Sequence, residues 1–579
     1  MTAPSLRRRS VTAESQLPEQ VHPLLRRILA GRGILHPDQL RHELSALPDP
    51  YLLKDMDKAV ERLVLALSQQ QKIVIVGDFD ADGATSSALL LLALRAMGFQ
   101  QVGFVVPDRF RYGYGLSPAI VDELQQQKPD LLITVDNGIS SVEGVTLANR
   151  YGMDVVITDH HLPGAELPQA SAIVNPNQRG CPFPGKGLSG VGVAFFLLLA
   201  LRKRLRDSGY FSENGIAEPN LANYLDLVAL GTVADVVPMD RCNRILVHQG
   251  IQRIRRGLAR PGIRHLLQVG GRDCRTVSTS DIGFTVAPRL NAAGRLDDMT
   301  QGIMLLVTDS EELAADLAQA LDQFNRDRRA IEEGMLQEAA GIVDGLTSGV
   351  DVVPHGFCLY HPGWHQGVVG LVASRLKEKY HRPVIAFADA GANGEIKGSG
   401  RSIEGIHLRD LLDGIAAKNP GMVSRFGGHA MAAGLSLDAA QLEEFRKAFL
   451  HALEEIGRRD RALFDSVLES DGEIAPSDLN LYVAQLIRDV LPWGKDLPEP
   501  LFDGEFRVLK QRVVGEKHLK LQVALHEKDL LGVEAMIFHF EQKGVSAHPL
   551  QRAHLAYRLG INTFRGTPSL QLLVERVIL

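Results

Sequence analysis

The sequence has few cysteines, and they stand far apart. Cys181, Cys242, Cys274 and Cys358 are the only four among 579 residues, and no two of them form a C-x-x-C pair. This spacing argues against a zinc knuckle and against a disulfide framework, and it is typical of a protein from a reducing compartment. A cytoplasmic location is therefore expected.

Long apolar runs, a net positive charge and abundant aromatics are also missing. The longest apolar run, near 191–201, is too short to span a bilayer, and the arginines at 7–9 precede polar residues, unlike a secretory signal. No membrane association is expected. The net charge of −6 excludes a uniformly basic nucleic-acid-binding protein but leaves room for a local basic groove. Because aromatics make up only 6% of the chain, base-stacking platforms should be few.

From about residue 50 onward, short apolar runs alternate with helical stretches. The runs KIVIVGD, QVGFVVPD, LLITVDNG and DVVITDHH have the length and composition of buried strands, and GATSSALLLLALRAMG has helical length. This alternation predicts an α/β fold with a mostly parallel sheet covered by helices. A chain of 579 residues is too long for one hydrophobic core, so several domains are expected.

The pattern along the chain predicts the domain limits. Residues 1–50 are expected to form a helical leader, and residues 51–305 the first α/β domain. Uninterrupted helix-forming sequence predicts a long connecting helix within 306–345. A second, smaller α/β domain is expected at 346–460, and short alternating runs predict a small β-barrel at 461–579.

The stretch GDFDADG places three carboxylates two residues apart, at Asp78, Asp80 and Asp82. Such crowded negative charge indicates a cation, and the spacing matches the front half of an EF-hand loop. An EF-hand needs a preceding helix and a glutamate at loop position 12, but here a strand precedes the loop and position 12 is Leu89. We therefore reject the calcium loop. Capping of the helix that begins near Ala84 would need one aspartate and not three.

Two further predicted strands end in potential metal ligands. LLITVD ends in Asp136, and DVVITDHH ends in Asp159, His160 and His161. Because the carboxyl ends of parallel strands meet at one edge of a sheet, these side chains should lie near the three aspartates. Carboxylates with a few histidines suit Mn²⁺ or Mg²⁺, and the number of acids favours two ions. Asp235 in GTVADVVP is a further candidate, although its spacing fits a cap of the next turn equally well.

Four motifs, in this order, resemble those of the DHH phosphoesterase superfamily: GDFDADG, VDNGIS, DHH and GTVADVVP. Further along, APRLNAAGRLDD, HQGVVGLVASRL, GSGRS and RFGGHAMAAGLS are similar to the RecJ family of single-strand-specific exonucleases within it. The resemblance covers nearly the whole chain after about residue 50. It implies a parallel-sheet DHH domain, a smaller α/β DHHA1 domain joined to it by a long helix, and a C-terminal OB-fold.

The resemblance also implies roles for individual residues. It assigns two divalent ions, Mn²⁺ or Mg²⁺, to six ligands: Asp78, Asp80, Asp82, Asp136, His160 and Asp235. His161 would face the scissile phosphate, and Asp159 would orient the histidine pair. The coordination by Asp78 stays open, because phosphatases of the superfamily tend to carry a histidine near this position.

Candidate substrate-binding residues come from segments rich in glycine and arginine. They are Arg109, Arg289, Asn291, Arg295, Ser399, Gly400, Arg401, Gly427, Gly428 and His429. We interpret APRLNAAGRLDD as part of a loop that permits close backbone approach, and GSGRS and FGGH as phosphate cradles. Taken alone, FGGH is more typical of a tight turn. By resemblance, the second domain grips the 5′ terminus of the substrate.

The basic stretch 241–275 and the predicted barrel fit a channel for a sugar–phosphate backbone. For RIRRGLAR within that stretch, a solvated helix face is a nearly equal alternative.

The residues predict two-metal phosphodiester hydrolysis. The resemblance implies an exonuclease that degrades single-stranded DNA 5′→3′ to mononucleotides in DNA recombination, mismatch repair and base excision repair. A monomer is expected, and the resemblance implies single-strand-binding protein and a RecQ-type helicase as partners. The alternatives are a nano-RNase or cyclic-dinucleotide phosphodiesterase, a pyrophosphatase, and a non-catalytic replication scaffold. The first two classes differ in chain length or second domain, and the intact ligand set argues against a scaffold.

Overall fold

A computed structural model describes residues 5–11, 14–108, 112, 114–347, 353–390, 394–525, 532–563 and 566–578. Its strands are, in chain order, β1 (Ser5–Arg8), β2 (Ile73–Gly77), β3 (Val102–Val105), β4 (Leu131–Val135), β5 (Asp154–Thr158), β6 (Ala172–Val174), β7 (Phe357–Tyr360), β8 (Val384–Asp389), β9 (Glu395–Arg401), β10 (Arg425–Gly428), β11 (Ala432–Asp438), β12 (Val467–Ser470), β13 (Phe502–Val514), β14 (His518–Ala524), β15 (Val533–Phe538), β16 (Arg552–Asn562) and β17 (Ser569–Ile578).

The helices are, in chain order, α1 (Pro23–Ala30), α2 (Met56–Ser68), α3 (Ala81–Ala96), α4 (Pro118–Gln125), α5 (Val142–Arg150), α6 (Gly190–Asp207), α7 (Tyr210–Glu213), α8 (Leu225–Ala234), α9 (Arg241–Arg255), α10 (Pro261–Val269), α11 (Thr279–Asp281), α12 (Ala287–Leu296), α13 (Thr300–Val307), α14 (Glu311–Thr347), α15 (Val369–Tyr380), α16 (Leu408–Lys418), α17 (Leu442–Arg459) and α18 (Leu481–Val490). A π-helical turn, Ile282–Val286, joins α11 to α12.

The first sheet is parallel throughout, in the order β3-β2-β4-β5-β6. Strands β2 and β4 are buried along their whole length, which explains why their sequences are continuous apolar runs. Their carboxyl ends, at Gly77 and Val135, and that of β5, at Thr158, therefore lie at one edge. The predicted parallel-sheet architecture is confirmed.

Three largely buried helices, α3, α6 and α8, pack against one another in the core beside this sheet. Because their surroundings are apolar on almost every side, these helices lack the polar stripe of a surface helix. Each has an end close to the edge at which β2, β4 and β5 finish. The polar residues at those ends are therefore held by well-packed elements.

Residue contacts divide the chain into two compact units. The larger comprises Ser10–Asn325 and Asp471–Val577, and the smaller comprises Arg326–Ser470 and the residues up to Arg9. Helix α14 is 37 residues long, begins in the larger unit and ends in the smaller one. The connecting helix of the predicted fold is therefore present.

The smaller unit has its own five-stranded sheet, in the order β10-β11-β9-β8-β7. Strands β7 and β8 are parallel, whereas the other neighbours are antiparallel. A separate parallel pair forms between β1 and β12, with Ser5 opposite Val467 and Arg8 opposite Ser470. In its described part, the segment expected as a helical leader thus contains a strand in addition to helix α1.

The last five strands form a closed barrel in the order β13-β14-β15-β17-β16. Closure leaves no exposed strand edge, as is usual for small barrels built from short alternating strands. The predicted C-terminal barrel is thereby confirmed. Across the described ranges, no helix combines the length and the apolarity needed to cross a membrane.

Candidate active site

The edge of the parallel sheet collects the predicted metal ligands. Asp78 follows β2, Asp136 follows β4, and His160 and His161 come two and three residues after the end of β5. Asp235 reaches the same place from the C-cap of α8. Three sets of potential ligand atoms each lie within 4.8 Å of one another. The sets are Asp136 with His160 and His161, Asp82 with His160 and Asp235, and Asp78 with Asp80 and Asp136.

Backbone groups fix the GDFDADG loop. One carboxylate oxygen of Asp80 accepts hydrogen bonds from the amides of Asp82 and Gly83, at 2.9 and 3.0 Å, and so caps α3. The Asp82 carboxylate accepts from the amides of Gly190 and Val191, at 2.6 and 2.9 Å, at the start of α6. The capping role that the sequence suggested for one aspartate is thus filled by Asp80. Asp82 ties α3 to α6.

The backbone around Asp136 is shaped for close approach. Asp136 has a φ of +61°, a left-handed conformation that is uncommon for a residue other than glycine. A Cβ on Gly190 would come within 2.6 Å of the Asp136 Cβ, so only glycine leaves room for the aspartate at this position. The requirement for Gly190 comes from its contact with a candidate ligand.

Three buried atoms that could bind a metal ion lack a hydrogen bond at the centre of the site: Oδ1 of Asp136, Nε2 of His160 and Oδ2 of Asp235. The His160 nitrogen lies 3.0 Å from the Asp136 oxygen and 3.4 Å from the Asp235 oxygen, yet these contacts are not aligned as hydrogen bonds. Buried polar atoms are otherwise nearly always paired. Carboxylate oxygens and an imidazole nitrogen that converge in this way fit Mn²⁺ or Mg²⁺.

Burial and mutual repulsion disfavour the ionised carboxylates. Desolvation, with the charge of Asp80, raises the pKa of Asp82 to about 7. Desolvation and the charge of Asp82 raise the pKa values of Asp136 and Asp235 well above their ordinary range. Divalent cations bound among these carboxylates would offset both the desolvation and the mutual repulsion.

Thermal unfolding should therefore depend jointly on metal and pH. Because the folded pKa values of these carboxyls are raised, the metal-free protein loses stability as pH rises from about 4, the unfolded value, through about 7. We expect Mn²⁺ to raise the melting temperature over the same protein in EDTA, and by more at pH 8 than at pH 5.5. Differential scanning fluorimetry measures this gain. A gain that is larger at pH 5.5 would contradict the assignment.

The two adjacent histidines have opposite protonation preferences. Burial, reinforced by the charge of His161, lowers the pKa of His160 to about 4, so its imidazole is neutral and suited to bind a metal. Desolvation acts in the same direction on His161, but the hydrogen bond and charge of Asp159 outweigh it and raise the pKa of His161 to about 9. His161, whose side chain is 44% exposed, is therefore a cation at neutral pH.

Asp159 is positioned to orient both histidines. Its Oδ1 accepts from the amides of His160 and His161, at 2.7 and 3.1 Å, and lies 2.8 Å from Nδ1 of His161. Its Oδ2 accepts from the Ile139 amide at 2.9 Å. Burial alone would raise the pKa of Asp159, but His161, His160 and the Ile139 amide together lower it. An ionised carboxylate saturated in this way holds the His161 ring in place.

Tyr114 is a site residue that the sequence did not identify. Its hydroxyl donates to the Asp136 carbonyl at 3.0 Å and lies 3.2 and 3.3 Å from the two ring nitrogens of His161. Its ring meets that of His161 edge to face, with centroids 5.7 Å apart. Tyr114 stands in RYGYG, far along the chain from the DHH motif, and its spacing gave no signal for this contact.

The segment that contains Arg289, Asn291 and Arg295 is helix α12, and the loop interpretation is wrong. Leucine, alanine and arginine favour a helix, and Pro288 is tolerated in its first turn. Asn291 accepts from the Ala81 amide at 2.8 Å, next to the metal loop. Arg295 is partly exposed at the end of the helix. Arg109 lies outside the described residues.

Arg289 faces the protein interior. Its guanidinium forms a buried ion pair with Asp322, with Nη2 to Oδ1 at 2.7 Å, and donates to the Thr285 carbonyl at 2.6 Å. These contacts indicate a structural role.

Replacing Arg289 with alanine should destabilise the larger unit by about 3–5 kcal/mol, because it leaves the Asp322 charge buried without its guanidinium. Chemical denaturation measures this loss. Asp322→Ala should cost a similar amount, and the double variant less than the sum of the two. Unchanged stability with weaker, less salt-dependent DNA binding would instead support the predicted substrate contact.

The substrate candidates of the smaller unit lie at the ends of two strands, β9 and β10, with β11 between them. GSGR ends β9, FGG ends β10, and Ala433 of β11 lies opposite both Gly400 and Gly428. Arg401 donates to the Ser399 hydroxyl at 3.0 Å, whereas Gly427, Gly428 and His429 are exposed. The strands bring the two predicted cradles together.

Part of the basic stretch 241–275 is neutralised within the larger unit. Arg255 pairs with Asp489 at 2.9 Å and Arg260 with the buried Asp226 at 3.1 Å. Arg264 pairs with Glu311. These arginines stabilise helix packing, so the stretch as a whole is not a continuous channel lining.

Three family models match the chain. They are the DHH family N-terminal domain over residues 72–232, the DHHA1 domain over residues 352–455 and the RecJ OB domain over residues 470–576. They confirm the three parts implied by the sequence motifs.

Curated relatives match along the whole length. The single-stranded-DNA-specific exonuclease RecJ of Dickeya dadantii is 52% identical, with 98% of each chain covered. That of Escherichia coli is 50% identical, with 99% of this chain and 98% of the relative covered. The crystal structure of Thermus thermophilus RecJ in complex with Mn²⁺ superposes with a TM-score of 0.76 at 30% identity, over 97% of this chain and 76% of that one. A second structure of that protein is a complex with Mg²⁺. The chain therefore belongs to the RecJ family of single-stranded-DNA-specific exonucleases.

Proposed function

We propose that this protein hydrolyses phosphodiester bonds of single-stranded DNA from the 5′ end, releases mononucleotides and uses two Mn²⁺ or Mg²⁺ ions. One observation carries the proposal. A buried potential ligand atom from each of Asp136, His160 and Asp235 lacks a hydrogen bond, and the three atoms converge on one point. A divalent cation satisfies all three at once.

Six side chains would hold the ions: Asp78, Asp80, Asp82, Asp136, His160 and Asp235. Divalent ions, when bound, lower the pKa of water and offset the charge that develops on a phosphoryl group. Asp136 and His160 each belong to two of the three ligand sets, so both would hold metal at the centre of the site. The neutral imidazole of His160 supplies a nitrogen ligand without adding charge.

His161 acts on the substrate. As an imidazolium, it donates a hydrogen bond to a nonbridging oxygen of the scissile phosphate, and this bond strengthens as negative charge builds up there. Asp159 fixes the ring through Nδ1, so the Nε2–H is assigned to the phosphate, in exchange for its 3.3 Å contact with the Tyr114 hydroxyl. The Tyr114 hydroxyl, anchored on the Asp136 carbonyl, limits rotation of the same ring.

The smaller unit would bind the 5′ terminus. Arg401 and Ser399 lie on β9, which β11 separates from the exposed end of β10. Together with Gly400, Gly427, Gly428 and His429 they would offer backbone amides and positive charge to a terminal phosphate. We propose limits for each part of the chain: residues 51–305 for the DHH domain, 306–345 for the connecting helix, 346–460 for the DHHA1 domain and 461–579 for the OB domain. They enclose the three matched segments.

The cellular setting follows by family likeness. We place the protein in the cytoplasm, in recombination and in mismatch and base excision repair, as a monomer with single-strand-binding protein and a RecQ-type helicase as partners. Pull-down with each purified partner, and sedimentation of the protein alone, test these assignments.

End-labelled oligonucleotides test the activity. With Mn²⁺ we expect mononucleotides from the 5′ end of single strands and no release from blunt duplex. Release from the 3′ end would overturn the polarity. Cleavage confined to dinucleotides would indicate a nano-RNase or cyclic-dinucleotide phosphodiesterase, and DNA binding without cleavage would indicate a scaffold.

A further inference from the structure

Val236, directly after the candidate ligand Asp235, has a strained backbone. Its φ is +57°, in the left-handed region that β-branched residues very rarely adopt. The position follows the C-cap of α8, where a left-handed residue commonly ends a helix and glycine serves without strain. The Val236 side chain is 61% exposed, so burial of that side chain does not offset the strain.

Phe284 is the most exposed of the large hydrophobic residues in the described parts of the chain, at 78%. It lies on the π-helical turn, between the buried anchors Ile282 and Val286. Its neighbour Gly283 sits against α8, because a Cβ there would lie 3.5 Å from Cγ1 of Val233. Val233 is in turn three residues before Val236.

Val236 and the π-helical turn that bears Phe284 therefore both lie at the end of α8 that carries Asp235. We call Val236 and Phe284 the apolar ledge. A π-helical turn and a strained left-handed valine are both uncommon, and such features cluster at functional sites. Apolar groups that are exposed together at a binding site mark a surface that an apolar part of the ligand covers.

We propose that the apolar ledge contacts the faces of unpaired bases next to the scissile phosphate. The inference rests on the proposed function. A single strand offers base faces as its main apolar surface, whereas in a duplex these faces are covered by stacking on their neighbours. Contact with bases at this point thus favours single strands over duplexes.

Variants of the ledge separate substrate contact from folding. Phe284→Ser should raise the KM for a single strand about fivefold or more, the lower end of what loss of a stacked base contact produces. Val236→Gly relieves the backbone strain, so it should raise KM while the melting temperature stays equal or increases. Tyr482→Ser is the matched control, because Tyr482 is 63% exposed on α18 of the same unit and should change neither quantity.

A base-free substrate makes the test specific. Wild type and variants are compared on a single strand and on an abasic strand of equal length, by cleavage and by fluorescence anisotropy of binding. We expect wild type to bind the abasic strand more weakly, and the variants to differ little from wild type on it. Equal effects of Phe284→Ser on both strands, or none on either, would overturn the inference. Base-dependent binding by wild type that the variants lose, without any cleavage, would uphold the ledge and refute the proposed activity.

Discussion

Replacing Asp136 with asparagine is expected to abolish hydrolysis, with a fall in kcat of about 10³-fold or more. Asp136 contributes to two ligand sets, and its Oδ1 lies 3.0 Å from the ring nitrogen of His160. The asparagine keeps the shape of the side chain but removes the negative charge with which Asp136 would hold a divalent cation. Steady-state release of nucleotides from a labelled single strand with Mn²⁺ measures the loss.

Stability distinguishes this outcome from simple unfolding. Because desolvation and neighbouring charge disfavour the Asp136 carboxylate, Asp136→Asn should leave the metal-free protein as stable as wild type or more stable at pH 8. Asp57→Asn, an exposed position in the first turn of α2, is the matched control and should change neither activity nor stability. A cleaving Asp136→Asn variant would refute the ligand assignment.

Replacing His161 with alanine is expected to lower kcat by about 10²-fold to 10³-fold while metal binding is retained. The imidazolium is assigned to the phosphate and not to a metal, so the gain in melting temperature with Mn²⁺ should match that of wild type. His160→Ala, one residue away, should instead lose that gain, because the neutral His160 ring is assigned as a ligand.

Tyr114→Phe tests how the His161 ring is held. It removes only the hydroxyl that contacts the Asp136 carbonyl and the His161 ring, so it should lower kcat, as His161→Ala does but by a smaller factor, and leave KM unchanged.

If His161→Ala loses the Mn²⁺-dependent gain in melting temperature, His161 is a metal ligand and the division of roles between the histidines is wrong.

The sheet and much of the site could be predicted from local sequence. Strands β2, β4 and β5 are continuous apolar runs because both faces are buried, and each is followed by its polar ligand. Parallel pairing then carries these ligands to one edge, which is a property of the fold class and needs no detailed packing. The six metal-ligand assignments themselves remain predictions.

Features that depend on packing could not be predicted in this way. Arg289 has the same side chain whether it meets DNA or Asp322, and only the placement of α14 decides between them. The glycine and alanines of APRLNAAGRLDD favour a loop that permits close backbone approach, but the segment is helix α12, and Gly294 is needed where the helix meets the Phe79 carbonyl. The contact between Tyr114 and His161 joins residues 47 positions apart.

The pairing of β1 with β12 has a consequence for synthesis of the chain. Residues 5–8 leave the ribosome before their partners, residues 467–470, which follow more than 450 positions later. At about 5–20 residues per second, the first strand waits some tens of seconds before it can add to the smaller unit. Arg7 then contacts Glu469 at 2.6 Å. The β1–β12 pair is therefore among the last contacts of the smaller unit to form during synthesis.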